Sequence, residues 1–257
     1  MIVSKQVIES DSVTVPIGMF AMTYEKHLPS IMVSIGACGG FAAQLAVWHT
    51  LIQPTHRNPG DFLVHARTRS NESFILGEAI NQFLFVAGPD RLSFLSTAAA
   101  CLQGAHQLPD IRELAAHAIR TMGSEAFGVP RFPGPGQFLE QPRVALNKIF
   151  KIVADCFRRD NHSPANWPAL LGIVAFRIID AHKHILPPAS AVKMLLESAV
   201  PMSKIDPSTV NGIEFDVDWK LKEKWSNRAL DINDVQAQRE LLAEVFQAMP
   251  ARLDSQE

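Results

Sequence analysis

Three side chains in the stretch ALLGIVAFRIIDAHKHIL, residues 169–186, have the spacing that acid–base chemistry uses: Arg177, Asp180 and His184. Positions three and four apart share one face of a helix. A carboxylate at 180 can therefore orient the imidazole at 184 as a general base, with Arg177 steadying the carboxylate. The run around them is apolar, where an unpaired charge would be expensive, so the set reads as a buried catalytic site against a pocket. The plainer account is an Arg177–Asp180 ion pair on the helix surface. His182, Lys183 and His184 then gather at the helix C-terminus because its dipole favours cations.

Other constellations are weaker. Glu113 and His117 stand four apart, as do Asp180 and His184. Carboxylate-bridged di-iron helices use Glu-x-x-His instead, and two four-spaced pairs bind an ion only if their helices face each other. No metal and no cofactor is expected. Cys38 lies in GACGG, residues 36–40, which reads in two ways. It is the interior of a buried helix, or a turn after a strand at SIMVSI. Such a turn would cradle phosphate on its N–H groups or present a Cys38 thiolate at a helix start. The GxxGG spacing matches neither a dinucleotide fingerprint nor a Walker loop, and there is no HExxH or GxSxG.

His65 alternates with Arg67 on a predicted strand, which points both toward solvent. Glu78, with Asn81 and Gln82 after it, opens a helix and complements its dipole. Glu197 and Lys204 bracket a run of small and apolar residues, a weak hint of a mutual pairing. Trp219 and Trp225 among Lys220, Lys222 and Lys224 suit partner docking, a membrane surface or single-stranded nucleic acid. Asp216, Asp218 and Glu223 blunt that field, and both tryptophans read more simply as packed onto the bundle.

The elements that must hold these residues are mostly helical. Residues 29–53 carry no Asp, Glu, Lys or Arg and are apolar on every side. Such a segment must be surrounded by protein or lipid. Ser34, Gln44, His49 and three interspersed glycines favour a central buried helix over a membrane span. Gly36 and Gly40, with Ala43 near the same face, let another backbone approach closely.

Further helices are expected from Pro109-Asp110 to Gly123, over about 143–158, from Ser163-Pro164 to about Leu186, and from Pro187-Pro188 to a break at Pro201. Asp90 and Asp231 suit two more helix starts. Residues 13–22, VTVPIGMFAM, are β-prone, and 62–76 read as a hairpin turning at Arg69-Ser70-Asn71-Glu72. Residues 123–142 hold four prolines and four glycines, the composition of a long ordered loop or a lid.

The totals bound the class. At 257 residues, 19% charged and 47% hydrophobic, the chain can bury a sizeable core and is no disordered tract. A net charge of -2 argues against affinity built on phosphate neutralisation, and so against nucleic acid. Cys38, Cys101 and Cys156 are odd in number and widely spaced, which favours a reducing compartment. The first residues show no signal peptide, and a cytoplasmic location is expected.

The expected fold is mainly α: a multi-helix bundle around the buried apolar helix at about 30–52, with a small N-terminal β element at 10–20 and 62–76. Residues 1–257 read as a single helical domain, with 203–257 as a peripheral C-terminal segment. The first functional expectation is a binding or regulatory protein acting through protein contacts, as a homodimer or on another protein partner. The alternative is an enzyme or small-molecule binder, its pocket lying where the 123–142 loop meets Arg177, Asp180 and His184.

Overall fold

The computed structural model describes residues 11–68, 72–87, 91–104, 107–132, 137–210 and 230–231. It is mostly helical, with a small antiparallel sheet. The helices are α1 (Thr14–Thr23), α2 (Leu28–Val47), α3 (Glu78–Leu84), α4 (Phe94–Ala98), α5 (Ile111–Thr121), α6 (Pro142–Arg159), α7 (Trp167–His182) and α8 (Pro188–Met202). The strands are β1 (Val64–Arg67), β2 (Ser73–Leu76) and β3 (Leu230–Asp231).

Helix α2 is the axis. Pro29 sits in its first turn, where a missing N–H costs nothing, and every residue from Ser30 to Val47 is buried. A π-helical turn, Trp48–Ile52, continues it. The run is long and apolar enough to cross a membrane, and its qualifying window is wholly buried inside the protein. It packs against α8 most extensively, then against α7, α6 and α3. The α2–α8 approach depends on glycine: a Cβ on Gly36 would overlap the Leu195 carbonyl, and one on Gly40 the Ala199 carbonyl. Phe41 meets Phe150 of α6 edge-on at 4.9 Å, and Phe150 meets Trp167 of α7 at 6.3 Å. Such pairs add to area burial through the ring quadrupoles.

The split of 29–53 into strand, loop and helix does not occur. Gly36 to Gly40 are helix interior, so no phosphate-cradling turn exists there. Cys38 is fully buried mid-helix, and burial pushes its thiol pKa well up. A nucleophilic Cys38 is thereby excluded, because the thiolate would have no solvation.

Strands β1 and β2 form the expected hairpin, antiparallel from Val64↔Leu76 to Arg67↔Ser73. Residues 69–71 of its turn lie outside the described residues. β3 joins β1 in parallel through Ala66↔Leu230 and Arg67↔Asp231. Asp231 is a strand residue, and the final helix expected to start there lies outside the described residues, as do Asp90, Trp219 and Trp225. His65 is buried instead of facing solvent. The reason is that both faces of β1 are covered. Ile75, opposite His65, belongs to the main core, while Ala66 packs with Phe74, Leu76, Ile119 and Met122.

Two local expectations failed for tertiary reasons. The β-prone segment 13–22 is helix α1, with Pro16 in its first turn and Phe20 buried. β propensity is a weak preference that packing overrides. Pro201 does not break α8, which runs to Met202. It falls in the last turn, where the chain closes with Ser203 N–H to Ala199 O at 2.9 Å and Lys204 N–H to Pro201 O at 3.0 Å.

A candidate ligand cleft between α5 and α8

Helix α5 begins where the sequence placed it. The Asp110 carboxylate accepts from the Arg112 and Glu113 N–H groups at 2.9 and 3.1 Å, capping the first turn. Ile111, Leu114, Ala115, Ala118 and Ile119 turn inward, so Glu113 and His117 fall along the helix flank. On α8 the run from Ala191 to Met202 is almost wholly buried, Glu197 included. A buried carboxylate needs a partner, and it comes from neither helix.

The partner is Arg131, in the segment that follows α5. Its Nη2 and Nε donate to Glu197 at 2.9 and 3.2 Å. Its Nη1 and Nη2 also donate to Glu113 at 2.5 and 2.8 Å, so one guanidinium grips two carboxylates. The Arg131 backbone N–H points at Glu197 Oε2 as well, at 3.4 Å. Arg131 hydrogen bonds hold the Glu113 carboxyl below its usual pKa, and the same bonds raise that of Arg131. The His117 pKa is pushed down, first by burial and then by the Arg131 charge.

Glu113, Arg131 and Glu197 border a cleft of about 560 Å³. The α5 side of the cleft is lined by Leu108, Pro109, Asp110 and Glu113. The α8 side is lined by Ala189, Ser190, Lys193 and Glu197, with Arg131 and Phe132 at one end. The Lys193 ammonium lies 4.9 Å from the Phe132 ring centroid, a cation–π contact. Every carboxylate on the cleft is already engaged: Glu113 and Glu197 by Arg131, Asp110 by the α5 amides.

Arg177, Asp180 and His184 sit elsewhere. All three are exposed on the last turns of α7 and its continuation, and Asp180 accepts from Lys183 at 2.9 Å. The spacing that puts them on one face puts them on the solvent face, because Ile173, Val174, Ile178 and Ile179 take the buried one. Their exposure matches the surface reading of the set rather than the buried-site reading, and none of the three lines the cleft. Among the described residues, no three His, Cys, Asp or Glu side chains gather at metal-binding distance.

Of the 123–142 loop, Arg131 and Phe132 line the α5–α8 cleft, which lies away from the Arg177 helix where a pocket was expected. Glu197 pairs with Arg131 rather than with Lys204. Lys204 is 3% exposed, and burial lowers its pKa to about 8, with the Glu78 charge opposing the shift. Glu78, at the start of α3, accepts from Asn81 Nδ2 at 2.9 Å. Arg131 was not singled out by sequence reasoning, though a signal existed. It is the sole charge between Ala126 and Leu139, and Glu197 is the sole charge between Met194 and Ser203. Lone charges in two apolar runs are candidates for one another.

Comparison with protein-family models, with curated proteins and with solved structures returns no match, so the reading of this chain rests on its own geometry.

Proposed function

We propose that this protein binds a small zwitterionic molecule in the cleft between α5 and α8. One observation carries the reading: a cleft of ligand size, about 560 Å³, sets acid against base across its width. Small-molecule sites typically span roughly 300–1,000 Å³ and fix their ligands with few convergent polar groups. The α5 wall offers the Glu113 carboxylate, which shares Arg131 with Glu197 and has the Arg120 guanidinium 3.9 Å away at its outer side. The α8 wall offers the Lys193 ammonium and the Ser190 hydroxyl. A ligand ammonium on the α5 side and a ligand carboxylate on the α8 side satisfy both. Leu108, Leu114 and Phe132 supply the apolar lining for the carbon skeleton between them.

Binding has better support than catalysis, because Arg177, Asp180 and His184 stand in solvent away from this cleft. The free thiols, Cys38 and Cys156 buried and Cys101 half-buried, support the expected cytoplasmic setting.

The test is calorimetry with a panel of free amino acids at neutral pH, beside native mass spectrometry of protein taken from its own host. At least one panel member should bind. Glu113→Gln and Lys193→Met should each weaken it by about tenfold, or ~1.4 kcal/mol. No heat from any panel member, together with a clean chain mass, would sink the reading.

A second reading keeps the protein-contact expectation, and a separate observation favours it. Helix α1 is apolar on all sides, yet Val15 is 44% and Met22 83% exposed. Across from it α6 leaves Val144 and Ile152 exposed, with Leu139 just ahead. Such surface suits a second copy of the chain.

A further inference from the structure

Resting on the ligand-cleft reading, we infer that residues 123–132 form a strap that governs entry to the cleft, with Arg131 as its latch. After α5 ends, the chain reverses at Gly123, φ 73°, and takes a second left-handed step at Gly128, φ 77°. Side chains rarely adopt that conformation, so both turns depend on glycine. The segment then runs back along the groove between α5 and α8, burying Gly128 and Pro130.

The strap forms a wall of each of the hollows beside it. A void of about 10 Å³ against His117 and Val200 shares Leu114 and Glu197 with the cleft. A third hollow of about 220 Å³, against Phe74 and Met202, shares Gly128 and Val129 with that void. What interrupts the groove is the strap. Lifting it would join the cleft to the space beneath Val129.

What holds the strap down is unequal along its length. Gly128 and Pro130 are buried and Val129 half-buried, so this part of the strap is held by apolar packing. Arg131 makes charged hydrogen bonds to two carboxylates, one of them buried. Solvent-exposed ion pairs contribute little, and the Glu113 arm belongs to that class. The Glu197 arm does not, because an open strap leaves a buried carboxylate without a counter-charge. Opening is therefore favoured when something else supplies a cation to Glu197. The ligand ammonium on the α5 wall meets the pair that Arg131 bridges, Glu113 and Glu197, so ligand and latch compete for these carboxylates. Binding then drives release of the strap by differential affinity for the open state.

The experiment is hydrogen exchange of strap amides 124–132, with α2 amides as the internal reference, in wild type, Arg131→Gln and Glu113→Gln. Arg131→Gln should speed strap exchange by about tenfold or more while α2 stays unchanged, and Glu113→Gln should fall between. Methylguanidinium added to Arg131→Gln should restore protection by filling the vacated site. If Arg131→Gln fails to fold, Arg131→Lys, which keeps charge but loses the fork, takes its place with the same expected direction. Equal strap protection in all variants overturns the latch. Running the amino-acid titrations on the same samples separates the two ideas. Faster exchange without ligand binding leaves the latch standing and removes the cleft reading. Ligand binding with no change in strap exchange does the reverse.

Discussion

At the scale of residues, two of the buried charges among the described residues, Glu197 and Lys204, are handled differently. Glu197 receives a guanidinium fork, whereas among the described residues the charge acting on Lys204 is that of Glu78, across a distance. Lys204 therefore records the cost of burial directly. Its folded pKa, about 8, lies below the value of about 10.5 in an open chain. The unfolded state thus binds more protons between those values, and stability rises with pH across that window. Cys38 and Tyr24 run the other way, since burial raises both and their contributions fade as pH climbs. Lys204→Met leaves those two in place and isolates the lysine. Wild type should gain about 3 kcal/mol on Lys204→Met between pH 7 and pH 10.5, measured by chemical denaturation. A constant difference between the two proteins would mean that Lys204 is solvated in the folded state.

At the scale of elements, the tightest constraint is the α2–α8 seam. Gly36 and Gly40 face Leu195 and Ala199, and each added Cβ would meet a backbone carbonyl that cannot swing aside. Overpacking of this kind typically costs about 1–3 kcal/mol and can exceed it. Gly36→Ala and Gly40→Ala should each lower the melting temperature by several degrees or abolish folding, on the order of 4–8 °C per kcal/mol in a small domain and less in a larger one. Gly18 of α1 is the matched control, since nothing lies within 4 Å of its missing Cβ. Gly18→Ala should stabilise by about 0.5–1 kcal/mol, because alanine is the better helix former. If all three behaved alike, the seam would not be the close approach described.

Much of this scale was legible beforehand. The Pro109-Asp110 start, the helix from about 143, the 62–76 hairpin and the Gly36/Gly40 approach all follow from caps, periodicity and small-residue spacing, which act within a few residues. Helix α1 was not legible, because VTVPIGMFAM has the propensities of a strand and becomes a helix only by packing Phe20 against the core.

At the scale of the whole molecule, the polar site and the apolar surface lie on different elements. The cleft belongs to α5 and α8, and the exposed Val15, Met22, Val144 and Ile152 belong to α1 and α6. Light scattering across a concentration series checks the second surface. A self-associating chain should show a dimer that Met22→Glu shifts to monomer by about tenfold or more in Kd, since a buried charge replaces an apolar contact. A wild-type monomer throughout the series would remove the homodimer reading and leave the cleft untouched.

The sequence by itself determined that residues 29–53, which carry no charge, had to be surrounded on every side, that most of the chain had to be helix, and where several helices had to begin. Burial follows from composition, and helix starts follow from groups that hydrogen bond three or four residues away. Only the tertiary structure decided which charges meet. Arg131 lies 18 residues from Glu113 and 66 from Glu197, and no local rule joins such positions. The same holds for Arg177, Asp180 and His184, whose shared face is legible but whose exposure is not. Periodicity puts side chains on one side of a helix, and only the neighbouring helices decide whether that side sees protein or water.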